Sequence, residues 1–280
     1  MMKTFLRNCA LFLVLTVLFI EGITAFLKYS GLFLKYYPGK EIYYAIEKSK
    51  LSNDSKILLL GDSVGRQLFD NTINNKQINS LACNQAVGMP GQYFLLNNYL
   101  NSENEVDQVI MLFNPLSFQN NLDQIYTYHY FLKPFYNSEY TDLFSENVNR
   151  QISKIPYHYF AQVPHIYITS WAPEFRSLDK IDYTFLSPIS IEYLIKIKEL
   201  SSKYSFKLNI LPTPVSIESK AFIEAIDKTE FQKCNLDSEF RNYFEKIVYL
   251  DSANFEDGIH LTQPERYIEE YKKEILLQSN

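Results

Sequence analysis

The chain has 280 residues, 46% of them hydrophobic and 16% aromatic, with a formal net charge of -5. That composition excludes a disordered chain and supports a sizeable core. With no basic block and a mildly acidic balance, a phosphate backbone would repel it, which argues against a nucleic-acid partner.

Lys3 and Arg7 precede an apolar run from Cys9 to Ile20, which Glu21 interrupts before Gly22 to Leu27 continue it. With Glu21 near one interface, Cys9 to Leu27 is long enough to cross a bilayer. A cleaved signal peptide is the rival reading, but Ile23 and Ala25 make a poor small-x-small cleavage site, so an uncleaved anchor over 1–30 is favoured. Cys9 stands at the start of the run, not after it, and so is not placed for lipid modification. Lysines flank both ends, so charge orients the segment weakly. The remainder is expected on the outer side of the membrane, periplasmic or extracellular. Residues 31–50 read as a juxtamembrane linker and 51–280 as one α/β domain; setting aside the first forty residues leaves about 240, enough for a single core with insertions.

Strand candidates follow at Lys56 to Leu60, Ile78 to Ala82, Gln108 to Phe113, Lys207 to Leu211 and Ile247 to Leu250, with helical periodicity between most of them. Such alternation predicts a central parallel sheet covered on both faces, a three-layer domain that binds ligands beyond the carboxyl ends of its strands. An insertion at about 115–187 is dense in aromatic residues, from Tyr126 to Tyr136, and holds the single tryptophan, Trp171. Its rings suit a sugar platform or lid, or simply pack the insertion onto the core or against the membrane surface. Pro212-Thr213-Pro214 predicts a stiff rim turn.

Two short motifs carry the chemistry. Leu58-Leu59-Leu60-Gly61-Asp62-Ser63 reads as a buried strand, a tight glycine turn and a serine opening a helix, where the hydroxyl stands clear of the sheet and helix N–H groups point at what it attacks. Gly-Asp-Ser alone is also an ordinary helix start. Near the end, Asp257-Gly258-Ile259-His260 falls between a candidate strand and a helix beginning near Pro264, with Thr262 and Glu265 at capping-box spacing. Asp257 is spaced to orient the imidazole of His260, leaving its other nitrogen to accept the proton of Ser63.

These blocks resemble those of the SGNH or GDSL hydrolases and acyltransferases, over most of the chain after residue 50. The resemblance implies Ser63 as nucleophile, with His260 and Asp257 completing the relay. It also implies an oxyanion hole from the Ser63 backbone, a loop glycine in Asn84-Gln85-Ala86-Val87-Gly88-Met89-Pro90-Gly91, and a side-chain donor after the third strand. Gly88 is the glycine expected, Gly91 its alternative. Where the family reads Gly-x-Asn-Asp, this chain has Asn114-Pro115-Leu116-Ser117; Asn114 is the donor by position, or it only turns the chain before Pro115. The fold implied is the SGNH, flavodoxin-like three-layer sandwich. Membrane-attached relatives act on cell-envelope glycans, which implies an acylated glycan or small acyl donor as substrate and a membrane acyltransferase as a further partner. The competing reading is a non-catalytic envelope protein that binds glycan or membrane partners.

No cofactor is implied. His129, His158, His165 and His260 lack ligand spacing with cysteines or carboxylates, so no metal site is expected. Cys83 and Cys234 read as small apolar residues, although an exported domain would permit them to pair.

Overall fold

The computed structural model describes residues 2–73, 75–175 and 185–277. It is a mixed α/β domain with a central parallel sheet, preceded by a long apolar helix, α1 (Met2–Ser30). By length and composition α1 is able to cross a membrane.

The sheet has the order β2-β1-β3-β4, with β1 at Ile57–Gly61, β2 at Ile78–Ser80, β3 at Gln108–Phe113 and β4 at Lys207–Pro212. All pairings are parallel. Every residue of β1 and β3 is buried, as expected of strands covered on both faces. Alternation divides their side chains between two cores. Leu58, Leu60, Val109, Met111 and Phe113 join the larger cluster, while Ile57, Leu59, Ile110 and Leu112 join the smaller one.

The larger face is covered by α2 (Lys40–Ser49), α4 (Gly88–Asn101) and, after the insertion, α8 (Pro188–Tyr204). The smaller face is covered by α3 (Ser63–Leu68) and α12 (Glu265–Leu277). The stretch expected as a linker thus contains a packed helix. In α2, Ile42, Ala45 and Ile46 recur at helical spacing and are buried in the core.

Helices α5 (Lys133–Phe135), α6 (Glu146–Ser153) and α7 (Pro164–Ile168) belong to the insertion; α9 (Lys220–Glu224), α10 (Thr229–Lys233) and α11 (Asp237–Phe240) follow β4. Residues 176–184 of the insertion lie outside the described residues. The dense aromatic tract winds through a π-helical turn at Tyr128–Leu132, which aims Phe131 and Phe135 inward. There they meet Phe94 of α4 at ring-centroid distances of 6.1 and 5.5 Å. These buried rings pack the insertion onto the core.

The fifth expected strand does not join the main sheet. Tyr249–Leu250 (β6) pairs instead with Val215–Ser216 (β5) in a separate two-stranded sheet. Prolines explain the separation. Lys207 and Thr213 donate toward β3, to Asp107 and Phe113, so the even-numbered positions face the outer edge. Pro212 and Pro214 fall at those positions and offer no N–H for another strand. Beyond them Val215 donates to the Val248 carbonyl at 3.0 Å.

Candidate active site

Chain order reverses between β1 and β3, and the carboxyl ends of strands at such a switch point form a natural binding crevice. Ser63 follows β1 and Asn114 follows β3 at this place. Two glycines make the turn tight. A Cβ on Gly61 or Gly65 would stand 2.9 or 2.7 Å from the Leu112 carbonyl oxygen, so only glycine lets α3 start this close to β3.

Asp62 holds the turn. Its Oδ1 accepts from the N–H groups of Val64 and Gly65 at 3.0 Å each, capping α3. Its Oδ2 accepts from the Asn114 N–H and the Ser117 hydroxyl, both at 2.6 Å. The carboxyl is 1% exposed, and burial raises its pKa although the four donors pull the other way. The Ser63 N–H, first in the helix, is claimed by no acceptor among the described residues.

His260 reaches the same spot from the far end of the chain. Residues 254–262 fold back on themselves through an antiparallel bridge between Phe255 and Leu261, with Gly258 turning at φ +83°. Asp257 Oδ1 accepts from the N–H groups of Ile259 and His260 at 3.0 and 2.8 Å. Gln67, one turn after Ser63, clips this loop to α3. Its amide donates to the Leu261 carbonyl at 3.1 Å and accepts from the Leu261 N–H at 2.9 Å.

The His260 ring stands between the other two groups. Nδ1 lies 2.7 Å from Asp257 Oδ2, and Nε2 lies 2.9 Å from Ser63 Oγ. An ionised carboxylate only accepts, so Nδ1 carries the proton and Nε2 is left to accept from the serine hydroxyl. Hydrogen bonds from the His260 backbone and ring, joined by the Ile259 N–H, hold Asp257 down at about 2. It therefore stays ionised across neutral pH. A hydroxyl, an imidazole and a carboxylate in this sequence form a proton relay suited to attack on a carbonyl carbon.

The structure separates the expected oxyanion donors. The Gly88 N–H donates to the Gln85 carbonyl, and Gly88 turns the chain at φ +59°. Gly91 lies in the first turn of α4, where a Cβ would come within 2.6 Å of Val87 Cβ; its small size serves packing. Asn114 does turn the chain, its Oδ1 accepting from the Leu116 N–H at 3.0 Å. Its amide nitrogen has no acceptor among the described residues, so the side chain is able both to turn the chain and to donate.

Sequence reasoning missed three supporting residues. Gln67 is one. Ser117, four residues from the end of β3, bonds Asp62 and also lies 3.2 Å from Gln85 Oε1. Asn120 donates to the Gln85 carbonyl at 2.8 Å, tying the same loops together. Ser117 and Asn120 signal themselves only as polar side chains shortly after a strand, which many loops share, and Gln67 only as a polar helix residue one turn after Ser63.

All three thiols are free, and burial raises that of Cys83. No cluster of metal-ligating side chains occurs among the described residues.

No family model and no curated protein matches this chain. Two solved structures are similar to it at low identity. One, from Bacteroides fragilis and provisionally described as an acylhydrolase, has a TM-score of 0.39 and 10% identity, covering 85% of this chain and 96% of its own. The other, from Streptococcus pneumonia and provisionally described as a platelet activating factor, has a TM-score of 0.35 and 13% identity, covering 83% and 91%.

Proposed function

We propose that this chain is a serine-dependent acyl ester hydrolase or O-acyltransferase that acts on a cell-envelope polysaccharide, held at the outer membrane face by α1. The observation that carries the chemistry is the continuous Ser63–His260–Asp257 relay. Ser63 Oγ attacks the ester carbonyl while its proton passes to His260 Nε2. The oxyanion is met by the Ser63 N–H and the Asn114 amide, and the collapsing intermediate expels an alcohol that takes the proton from Nε2. A water or sugar hydroxyl then gives its proton to Nε2 and attacks the acyl-serine; the C–Oγ bond breaks, Nε2 returns that proton to Ser63 Oγ, and the acyl group leaves as acid or new ester. Membrane attachment and the family resemblance support a surface glycan as the acyl carrier.

A second reading draws on the committed Gly88 N–H. A protein that keeps the fold to bind glycan, without turning it over, has no need of a complete oxyanion hole. One experiment separates the two. The full chain in detergent should release acid from small acyl esters, and Ser63→Ala should lower that rate by roughly 10³-fold or more, because nucleophile and base act as a unit. Equal rates in the two proteins would refute the catalytic reading. Transfer is tested by supplying a sugar acceptor and following ester formation.

A further inference from the structure

Polar contacts bind the end of α1 to one part of the insertion. Lys28 Nζ donates to the backbone and side-chain oxygens of Gln162 at 3.0 and 3.1 Å and stands 4.0 Å from the Tyr167 ring centre. About two helical turns toward the N-terminus, Glu21 Oε2 accepts from the His165 N–H at 3.2 Å. Helix α7 therefore runs beside residues 21–28 of α1. A hydrocarbon layer of about 30 Å takes roughly 20 helical residues at 1.5 Å each, so a spanning α1 of 29 residues that crosses with Cys9 to Leu27 meets the membrane surface along this C-terminal part, beside its contacts to Gln162 and His165.

Beside that junction the chain displays aromatic rings to the outside. Tyr157, Tyr159, Phe160 and Trp171 are 52%, 58%, 42% and 43% exposed. They form one surface, with centroid separations of 6.3 Å for Tyr157–Trp171, 6.3 Å for Tyr157–Phe160 and 4.5 Å for Tyr159–Phe160. Tyr157 adopts φ +57°, a region costly for a bulky residue, and the Tyr128 hydroxyl holds its carbonyl at 3.1 Å. Exposed rings grouped this way are unfavourable in water, whereas amphipathic Tyr and Trp rings are favoured at headgroup depth.

We infer that residues 157–171 form a second membrane contact, a foot resting in the phospholipid headgroup layer beside the point where α1 leaves the bilayer. The inference rests on α1 being a membrane-spanning anchor. Its occupant is the same bilayer, because α7 and the rings are fixed to the helix segment that emerges from it. Two attachments in place of one would fix the tilt of the domain over the membrane.

Trp171 is the only tryptophan, so fluorescence of the full chain excited at the red edge, where its tyrosines do not absorb, reports this surface alone. The chain is reconstituted into phosphatidylcholine vesicles whose acyl chains are brominated near the ester end or near the methyl end. The expected result is strong quenching of Trp171 by the shallow bromines, weaker quenching by the deep ones, and reduced access of aqueous acrylamide. Replacing both Tyr159 and Phe160 by serine should restore acrylamide access while flotation with vesicles and turnover of a soluble ester persist. Protein that floats with the vesicles while Trp171 is quenched by neither lipid overturns the foot and leaves the anchor standing. Protein that fails to float overturns both. A Trp171 emission shift on adding envelope oligosaccharide, without bromolipid quenching, would make the surface a sugar platform and also overturns the foot. None of these readouts depends on ester chemistry, so the catalytic reading stands or falls separately.

Discussion

Replacing Asp62 by asparagine tests whether the buried carboxylate organises the site. Four donors meet its two oxygens, and an amide keeps only one oxygen as acceptor. If that oxygen stays on Val64 and Gly65, the new amide nitrogen faces the Asn114 N–H and the Ser117 hydroxyl. Ser117 can rotate, donating to Gln85 Oε1 at 3.2 Å and accepting from the amide. The Asn114 N–H cannot rotate and is stranded. The opposite orientation strands two N–H groups, so the first is the less costly.

Losing a charge-assisted bond costs about 1.5 to 3 kcal/mol and stranding a buried donor about 1 to 3, partly offset because no charge is buried any longer. A net loss of about 3 kcal/mol is expected, a large share of the stability of an ordinary domain. Displacement of the turn should also slow turnover, since a shift of about 1 Å at a reacting group costs roughly 10²-fold. Guanidinium unfolding of the full chain in detergent, followed by circular dichroism, measures the first effect, and ester hydrolysis the second. A variant within about 0.5 kcal/mol of wild type would refute the reasoning, since that is the range of an ordinary surface substitution.

Asn114→Ala should lower turnover about 10²-fold with little change in KM if its amide meets the oxyanion, beside a cap loss of about 1 kcal/mol; unchanged turnover in a folded variant would leave that role to backbone groups. Gln67→Ala removes both bonds to Leu261 and should cost about 1 kcal/mol for each, with turnover falling more than affinity as His260 loses its fixed distance to Ser63; unaltered kinetics would show that the loop holds itself. Lys133 is fully buried, its ammonium donating to the Thr169 and Trp171 carbonyls, and burial pushes its pKa from 10.5 down to about 7. Between those values the unfolded chain binds more protons at this site, so its folding penalty shrinks as pH rises and is greatest below the folded value. Wild type should therefore gain on Lys133→Met by about 1 kcal/mol per pH unit above pH 7, measured as unfolding free energy, and parallel pH curves would contradict the assignment.

Hydrophobic pattern is local, and what depends on it was legible in the sequence. The runs at 57–61 and 108–113 are largely apolar because both faces of a parallel sheet are covered, so they announced its centre. Gly61-Asp62-Ser63 and the spacing of Asp257 and His260 are also local. A turn needs glycine, and a carboxylate three residues before a histidine can bond its backbone and ring together. Which groups pair across the fold was not legible, because a hydrogen bond depends on what distant segment arrives beside a donor.

Nothing around Ser117 shows that Asp62 waits beyond β1, and nothing around Gln67 that Leu261 will lie across it. Residues 31–50 read as a linker, yet the groove beside α4 gave Ile42, Ala45 and Ile46 something to bury against. The fifth strand met the reverse fate. Its sequence favours extension, but Pro212 and Pro214 removed two N–H donors from the end of the edge it would have joined, a constraint set only once β4 had chosen which side faces β3.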